Sequence, residues 1–317
     1  MNIIRFLKDW TLPVAITVGT VCYLTFCYVP QLDAIGDTLG PVFDTLFPLF
    51  VFLTLFVTFC KVDFHEMRPH RWHVGVLVAQ LLLVAVNIGV IFHVEADAEQ
   101  KLLWEAMLTC IIGPSAAAAP VVTGKLGGNI STMTTYTLIS SLASALLIPL
   151  VFPILEQTVH VSFLTAFLII LQKVSIVLLL PLVLGWTMQH YVKGLCRRIA
   201  AMPNLSFYLW SVSLSITTGI TVKNIVHSEA TVTLLLMIAV CTFVLCFVQF
   251  GIGRVIGRHL GEEVNAGQAL FQKNTALSIW VAYMYLHPVA SVGAGCYVLW
   301  QDIINSIELW MFRRSHT

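Results

Sequence analysis

Charge is the scarcest commodity in this chain of 317 residues, at 10% of side chains against 58% hydrophobic, where a soluble domain carries about a quarter charged residues. With a mean hydropathy of +0.88, the chain belongs in a bilayer. Net charge is +1, which says little about partners, because in a membrane protein the distribution of charge is what matters; nucleic-acid binding is not expected. The eight cysteines, Cys22, Cys27, Cys60, Cys110, Cys196, Cys241, Cys246 and Cys296, stand singly without a CxxC pair, so neither a disulfide framework nor a thiolate metal centre is expected. His65, His70, His73 and His93 lack metal-binding spacing with acids, and no convergent nucleophile and base is evident. No enzyme, no cofactor and no metal are expected. The first ten residues carry Arg5 and Lys8 ahead of a long apolar run, with no small-residue cleavage site, and are read as leading into an uncleaved first span.

What is abundant is apolar sequence in lengths that cross hydrocarbon, about 20 residues each. Such runs fall near 11–30, 41–60, 73–93, 102–124, 129–152, 163–189, 204–225, 230–256, 264–286 and 289–312. The expectation is an all-α integral membrane protein of ten spans in a single membrane domain, residues 1–317. Its connectors separate lysine and arginine sharply. One face collects Arg5, Lys8, Lys61, Arg68, Arg71, Lys125, Lys193, Arg197, Arg198, Arg254, Arg258, Arg313 and Arg314, and the other only Lys101 and Lys223. By the positive-inside rule both termini are expected in the cytoplasm. Five spans end near Glu156 and five follow, so the halves, about 11–156 and 162–314, have opposite topology, as inverted repeats do.

The fourth run of each half is interrupted by polar or helix-breaking residues: Gly113-Pro114-Ser115 through Pro120 in one, and Gln272-Lys273-Asn274 in the other. Paired interruptions at corresponding positions mark the substrate site of many transporters. Pro114 and Pro120 are expected to open the helix, and the small residues Ser115, Ala116, Ala117 and Ala118 let another backbone approach. In the second break Gln272, Lys273, Asn274 and Thr275 cannot all face lipid. An unpaired lysine at that depth costs about 2.5–3.5 kcal/mol on translocon scales, so it is either functional or ion-paired, with Asp302 or Glu308 as partners on the last span. Gln80 and Asn87 lie seven apart on one helix face, lining a cavity or joining helices. Thr132, Thr134, Thr135 and Thr137 follow the first break.

These residues resemble the bile acid:sodium symporter family. The resemblance rests on Gly113-Pro114 through Gly128-Asn129, on Gln272 through Leu277, and on Pro288 through Ser306 with Trp300-Gln301-Asp302. Val174 to Gly185 is similar to the family's sixth helix. The resemblance implies a bacterial inner-membrane protein of ten helices, split into panel and core parts, whose fourth and ninth helices cross at their breaks. It implies small organic anions of bile-acid, steroid or carboxylate type as substrates, typically with sodium.

This sequence departs from the family at the cation sites. Where the family has a Ser-Asn pair on the fourth helix, spacing from Gly128-Asn129 places Ala119 and Pro120. Where it has a glutamate and a glutamine on the ninth, anchoring on Asn274 places Ala269 and Lys273, and a serine of the fifth helix falls at Met133. Thr137 keeps a hydroxyl at a neighbouring position, and Gln80 is a further candidate. Without those oxygens a hard cation loses its ligands, so sodium coupling is not expected and Lys273, with Gln272 beside it, stands in for the cation. The substrate would meet Ser115, Ala116, Ala117, Asn274, Thr275, Gln301 and Asp302. Two alternatives stay open: protonation of Lys273 couples transport to protons, or a carboxylate keeps it charged as a fixed anchor. A non-transporting sensor or scaffold on the same fold is the alternative function.

Overall fold

A computed structural model describes residues 10–94, 98–155, 162–228 and 230–315. Arg5, Lys8, Glu95, Asp97 and Glu156 lie outside them. The described residues are helical, joined by short turns and carrying no β-strand. In chain order the helices are α1 (Thr11–Tyr28), α2 (Asp33–Phe59), α3 (Arg71–His93), α4 (Ala98–Ile112), α5 (Ala119–Lys125), α6 (Ile130–Leu155) and α7 (Phe163–Val174). They continue as α8 (Leu180–Tyr191), α9 (Lys193–Ala200), α10 (Leu205–Val226), α11 (Val232–Leu260), α12 (Glu263–Phe271), α13 (Thr275–Tyr285) and α14 (Ser291–Ser315).

Among these, α1, α3, α10, α11 and the stretch Ile130–Phe152 of α6 are long and apolar enough to cross a membrane on their own, and Ser175–Tyr191 would make a sixth only if counted as one span with Lys193–Ala200, from which it is bent by 117°. The protein is therefore an integral membrane protein. Both interrupted runs fail that test for a physical reason. The first is divided into α4 and α5, the second into α12 and α13, and none of these pieces is long enough to cross 30 Å of hydrocarbon at 1.5 Å per residue.

Proline acts differently at its several positions. Pro114 lies in the break itself, whereas Pro120 sits in the first turn of α5, where its missing N–H would have had no partner. Residues 113–118 are unwound, so the helix opens between Pro114 and Pro120 as expected, and Pro120 itself starts the following half-helix. Pro181 sits in the first turn of α8 directly after a π-helical stretch, Ser175–Leu179, because a residue without an N–H forces the preceding turn to find another register.

The chain divides into two compact units. One comprises Met1–Val62, Ile176–Val226 and Asp302–Thr317; the other comprises Asp63–Ser175 and His227–Gln301. In the first, α1 and α10 approach closely at Gly19, where a Cβ would strike the Ser215 carbonyl, and Ser215 Oγ donates to Ala15 O at 2.9 Å. Gln189 Nε2 on α8 donates to Phe59 O and Val62 O, at 3.0 and 2.9 Å, and so closes the end of α2.

The second unit holds both breaks. Its α11 and α12 form a tight antiparallel corner turned at Gly261, whose φ is +78°. A Cβ on Gly253 would lie 2.5 Å from Ala266 O, so only glycine allows that contact. At the corner's mouth Arg254 and Arg258 pair with Glu263 at 3.2 and 2.9 Å, and the hydrogen bond from Arg258 holds the Glu263 carboxyl below the usual carboxylate range. Replacing Gly253 with valine is expected to destabilise by about 1–3 kcal/mol through overpacking, read as a lowered thermal midpoint of the detergent-solubilised protein; an unchanged midpoint would refute the close approach.

Candidate functional site

The two unwound segments run antiparallel and hydrogen-bond to one another. Ala116 N donates to Gln272 O at 2.9 Å and Asn274 N donates to Pro114 O at 2.8 Å, which makes Ser115 and Lys273 an isolated bridge pair. Each segment thus supplies the partner that the other lost on leaving the helix. At membrane depth there is no water to do so, and an unsatisfied backbone group costs several kcal/mol.

Ser115 and Lys273 face one another between these two hydrogen bonds, so their own N–H groups point outward, as in the non-bonded pair of an antiparallel ladder. Both find side-chain acceptors on a following helix. Ser115 N donates to Ser140 Oγ on α6 at 2.9 Å, and Lys273 N donates to Gln301 Oε1 on α14 at 3.0 Å.

The carbonyls left over at the end of α4 and α12 are met in the same manner. Gln80 Nε2 on α3 reaches Ile111 O and Gly113 O at 3.0 Å each, and Ser144 Oγ donates to Ile112 O at 2.7 Å. For α12, Tyr297 Oη donates to Phe271 O at 2.7 Å. Gln249 Nε2 on α11 then serves both breaks, donating to Tyr297 Oη at 2.9 Å and to Cys110 O of α4 at 3.3 Å. Asn274 caps α13 by accepting from Leu277 N at 3.1 Å. Gln272 donates its side-chain amide to that of Gln268.

A second clasp holds the outer end of α5 against the start of α12. Asn129 N donates to Asn265 Oδ1 at 3.0 Å, and Asn265 Nδ2 returns to Asn129 O at 2.8 Å and to Thr132 Oγ1 at 2.9 Å. Gly127, with φ +78°, makes the turn between them.

Around the bridge several polar atoms are buried and have no hydrogen-bond partner among the described residues: Lys273 Nζ, Ser115 Oγ, Ser278 Oγ and Gln80 Oε1. Lys273 is 1% exposed. The ion pair that its sequence position allowed is not formed among the described residues. Ser278 Oγ sits against Gly113, leaving no room for a Cβ there. The Lys273 amine and the two hydroxyls can donate, while Gln80 Oε1 only accepts; the donors suit a negatively charged or strongly accepting group.

Of the residues singled out from sequence, Ser115, Ala116, Gln272, Lys273, Asn274 and Gln301 are brought together, with Thr275 buried just beyond and Ala117 partly buried. Gln80 is at the first break, but as a cap whose amide nitrogen is spent on carbonyls. Thr137 donates its hydroxyl to Met133 O one turn back, at 3.0 Å. Asp302 is buried and belongs to the other unit, where its carbonyl accepts from Ser306 Oγ at 2.6 Å. Ser140, Ser144, Gln249 and Tyr297 escaped the sequence reading. Gln249 offered a signal, being a lone amide in the middle of a 29-residue apolar helix.

The positions from which cation ligands are missing also converge. Ala119, Met133 and Ala269 are 0–1% exposed and pack in one apolar cluster with Trp72, Val76, Ala116, Tyr136, Ala266 and Leu270. The side chains at these three positions carry no oxygen, and the one side-chain oxygen of the cluster is the buried Tyr136 hydroxyl.

Two interrupted apolar helices crossing at depth within a hydrophobic bundle characterise a membrane transport protein. Residues 48–228 match the model of the Sodium Bile acid symporter family, and the chain belongs to that family. The match covers the first break and ends before the second. No curated protein matches the chain.

Replacing Gln80 with leucine leaves buried carbonyls at the first break without a donor, and is expected to destabilise by about 1–3 kcal/mol. Gln80→Glu, as a carboxylate, supplies no donor and is expected to be at least as harmful. Thermal unfolding of both variants checks this; wild-type stability in Gln80→Leu would show that the cap is dispensable.

Proposed function

We propose that the protein is a secondary transporter of small organic anions that works by alternating access without sodium, with Lys273 in place of a bound cation. The observation that carries this reading is the hydrogen-bonded crossing of the two breaks around a buried lysine whose amine has no hydrogen-bond partner among the described residues. A buried cation left in that condition is costly, and a carboxylate or sulfate on the substrate would relieve it. Packing of Ala119, Met133 and Ala269 into an apolar cluster argues against sodium.

The proposed architecture is ten spans in two inverted repeats of five. Residue-level support comes from the caps. In each half, a glutamine on the third span reaches the broken helices (Gln80, Gln249), and the fifth span supplies both an acceptor for the bridge residue's N–H (Ser140, Gln301) and a hydroxyl for the half-helix carbonyl (Ser144, Tyr297). The unit containing both breaks would be the moving core. Clustering of lysine and arginine in alternate connectors supports cytoplasmic termini, and an inner-membrane location is what the family resemblance implies. Ser115, the backbone of Ala116 and Ala117, Asn274, Thr275 and Gln301 would line the path within that unit, and Asp302 is a further candidate on the family resemblance alone.

Uptake and counterflow in proteoliposomes, for a panel of small carboxylates, sulfates and bile acids, test the proposal. Flux is expected to be unchanged when choline replaces sodium. Lys273→Gln is expected to lower it roughly tenfold or more, the worth of a lost charge-assisted hydrogen bond of about 1.5–3 kcal/mol. Strict sodium dependence would overturn the cation-replacement reading, and full flux in Lys273→Gln would remove the residue from the mechanism. Flux that follows an imposed pH gradient would identify Lys273 as the proton carrier, and flux indifferent to it a fixed anchor. Ligand binding without flux would mark a sensor. Asp302→Asn, run alongside, reads whether that carboxyl selects against anions.

A further inference from the structure

The helix α9 carries chemistry that the crossing does not use. It leaves α8 at an angle of 117°, so if α8 runs across the bilayer α9 lies close to its plane. At about 100° per residue, Lys193, Gly194, Arg197 and Arg198 fall on one side, with Leu195, Cys196, Ile199 and Ala200 on the other. Cys196 is the anchor, at 4% exposure, with its thiol directed at Cys60 O at 3.6 Å. Beyond the helix, Lys61 Nζ holds Met202 O at 2.9 Å. The element is therefore fixed to the protein and has an outward side.

The element and its flanks pair free cations with exposed hydrocarbon. Lys193, Arg197 and Arg198 are exposed, and among the described residues none has an acidic or hydrogen-bonding partner for its side chain. Tyr191, Val192, Leu195 and Met202 are 76%, 45%, 49% and 45% exposed. Insertion of α9 into the hydrocarbon is excluded by its three cations, each costing about 2.5–3.5 kcal/mol near the centre. Full solvation would leave the apolar residues wet. The one environment that satisfies both sets is the headgroup layer, where an amphipathic helix buries its apolar side and its basic residues face phosphate.

We propose that α9 is an interfacial helix that seats anionic lipid headgroups, with Lys193, Arg197 and Arg198 taking the phosphate oxygens and Tyr191, Val192 and Leu195 lying against the acyl boundary. Charge complementarity selects the lipid class: a zwitterionic headgroup returns a positive charge to a site already holding three. The inference is independent of Lys273 and of the substrate.

Native mass spectrometry and thermal unfolding of the full-length protein in detergent, with phosphatidylglycerol or phosphatidylcholine added, test it. At about 1 kcal/mol per basic residue, the parent is expected to retain phosphatidylglycerol about tenfold or more over phosphatidylcholine, with a raised midpoint. Lys193→Gln/Arg197→Gln/Arg198→Gln is expected to abolish the preference, while Arg313→Gln/Arg314→Gln keeps it. Should the triple variant misfold, Arg197→Lys/Arg198→Lys is expected to retain the preference and about 0.5 M salt to erase it in the parent. An undiminished preference in the triple variant, or one that survives salt, overturns the proposal. Inorganic phosphate competing as well as the lipid would also overturn it in favour of a free-anion site.

Discussion

Two backbone hydrogen bonds, from Ala116 N to Gln272 O and from Asn274 N to Pro114 O, are the condition for everything around them. Two helices cannot be broken in an apolar interior unless their freed amides and carbonyls are paired, and here each break is the other's partner. The residues packed nearby follow from that requirement. Serine, alanine and glycine occupy the first break because a second backbone lies against it. The outward N–H groups of Ser115 and Lys273 call for acceptors, and α6 and α14 present Ser140 and Gln301. The carbonyls at the ends of α4 and α12 call for donors, which Gln80, Ser144 and Tyr297 supply.

Membership of a symporter family does not by itself bring the family's chemistry. Where oxygen ligands would be expected, this chain has Ala119, Met133 and Ala269, and they are sealed among Trp72, Val76 and Tyr136. Small side chains alone would have left a cavity; the aromatic residues close it. An amine nevertheless lies a few residues away, on Lys273. It is supplied by the chain itself, so its place in the crossing does not depend on an ion supply.

The breaks were legible in the sequence because helix-breaking and polar residues are conspicuous against long apolar runs, and their matching positions in the two halves drew them together. What those residues touch was much less legible. Ser140 and Ser144 are two hydroxyls among many on α6, and a hydroxyl in a membrane helix bonds its own preceding turn as readily as a neighbour. Thr137 does so, to Met133 O. Gln80 was picked out, but its partners lie more than thirty residues away, so the sequence left a cavity-lining amide and one joining neighbouring helices both open. Pro120 marks the far edge of the first break, since a proline disrupts the turn before it and is tolerated in the first turn of the helix that follows.

Gln249 has a mechanical consequence. One amide nitrogen is shared between Cys110 O of the first broken helix and Tyr297 Oη, which itself holds Phe271 O of the second. Loosening either broken helix therefore strips a bond from the support of the other, and with no water at that depth to replace it, partial bending carries nearly the full penalty at once. The junction behaves as a welded joint rather than a hinge. Any working stroke is cheaper when it carries the joint whole and takes up the displacement in the surrounding helices.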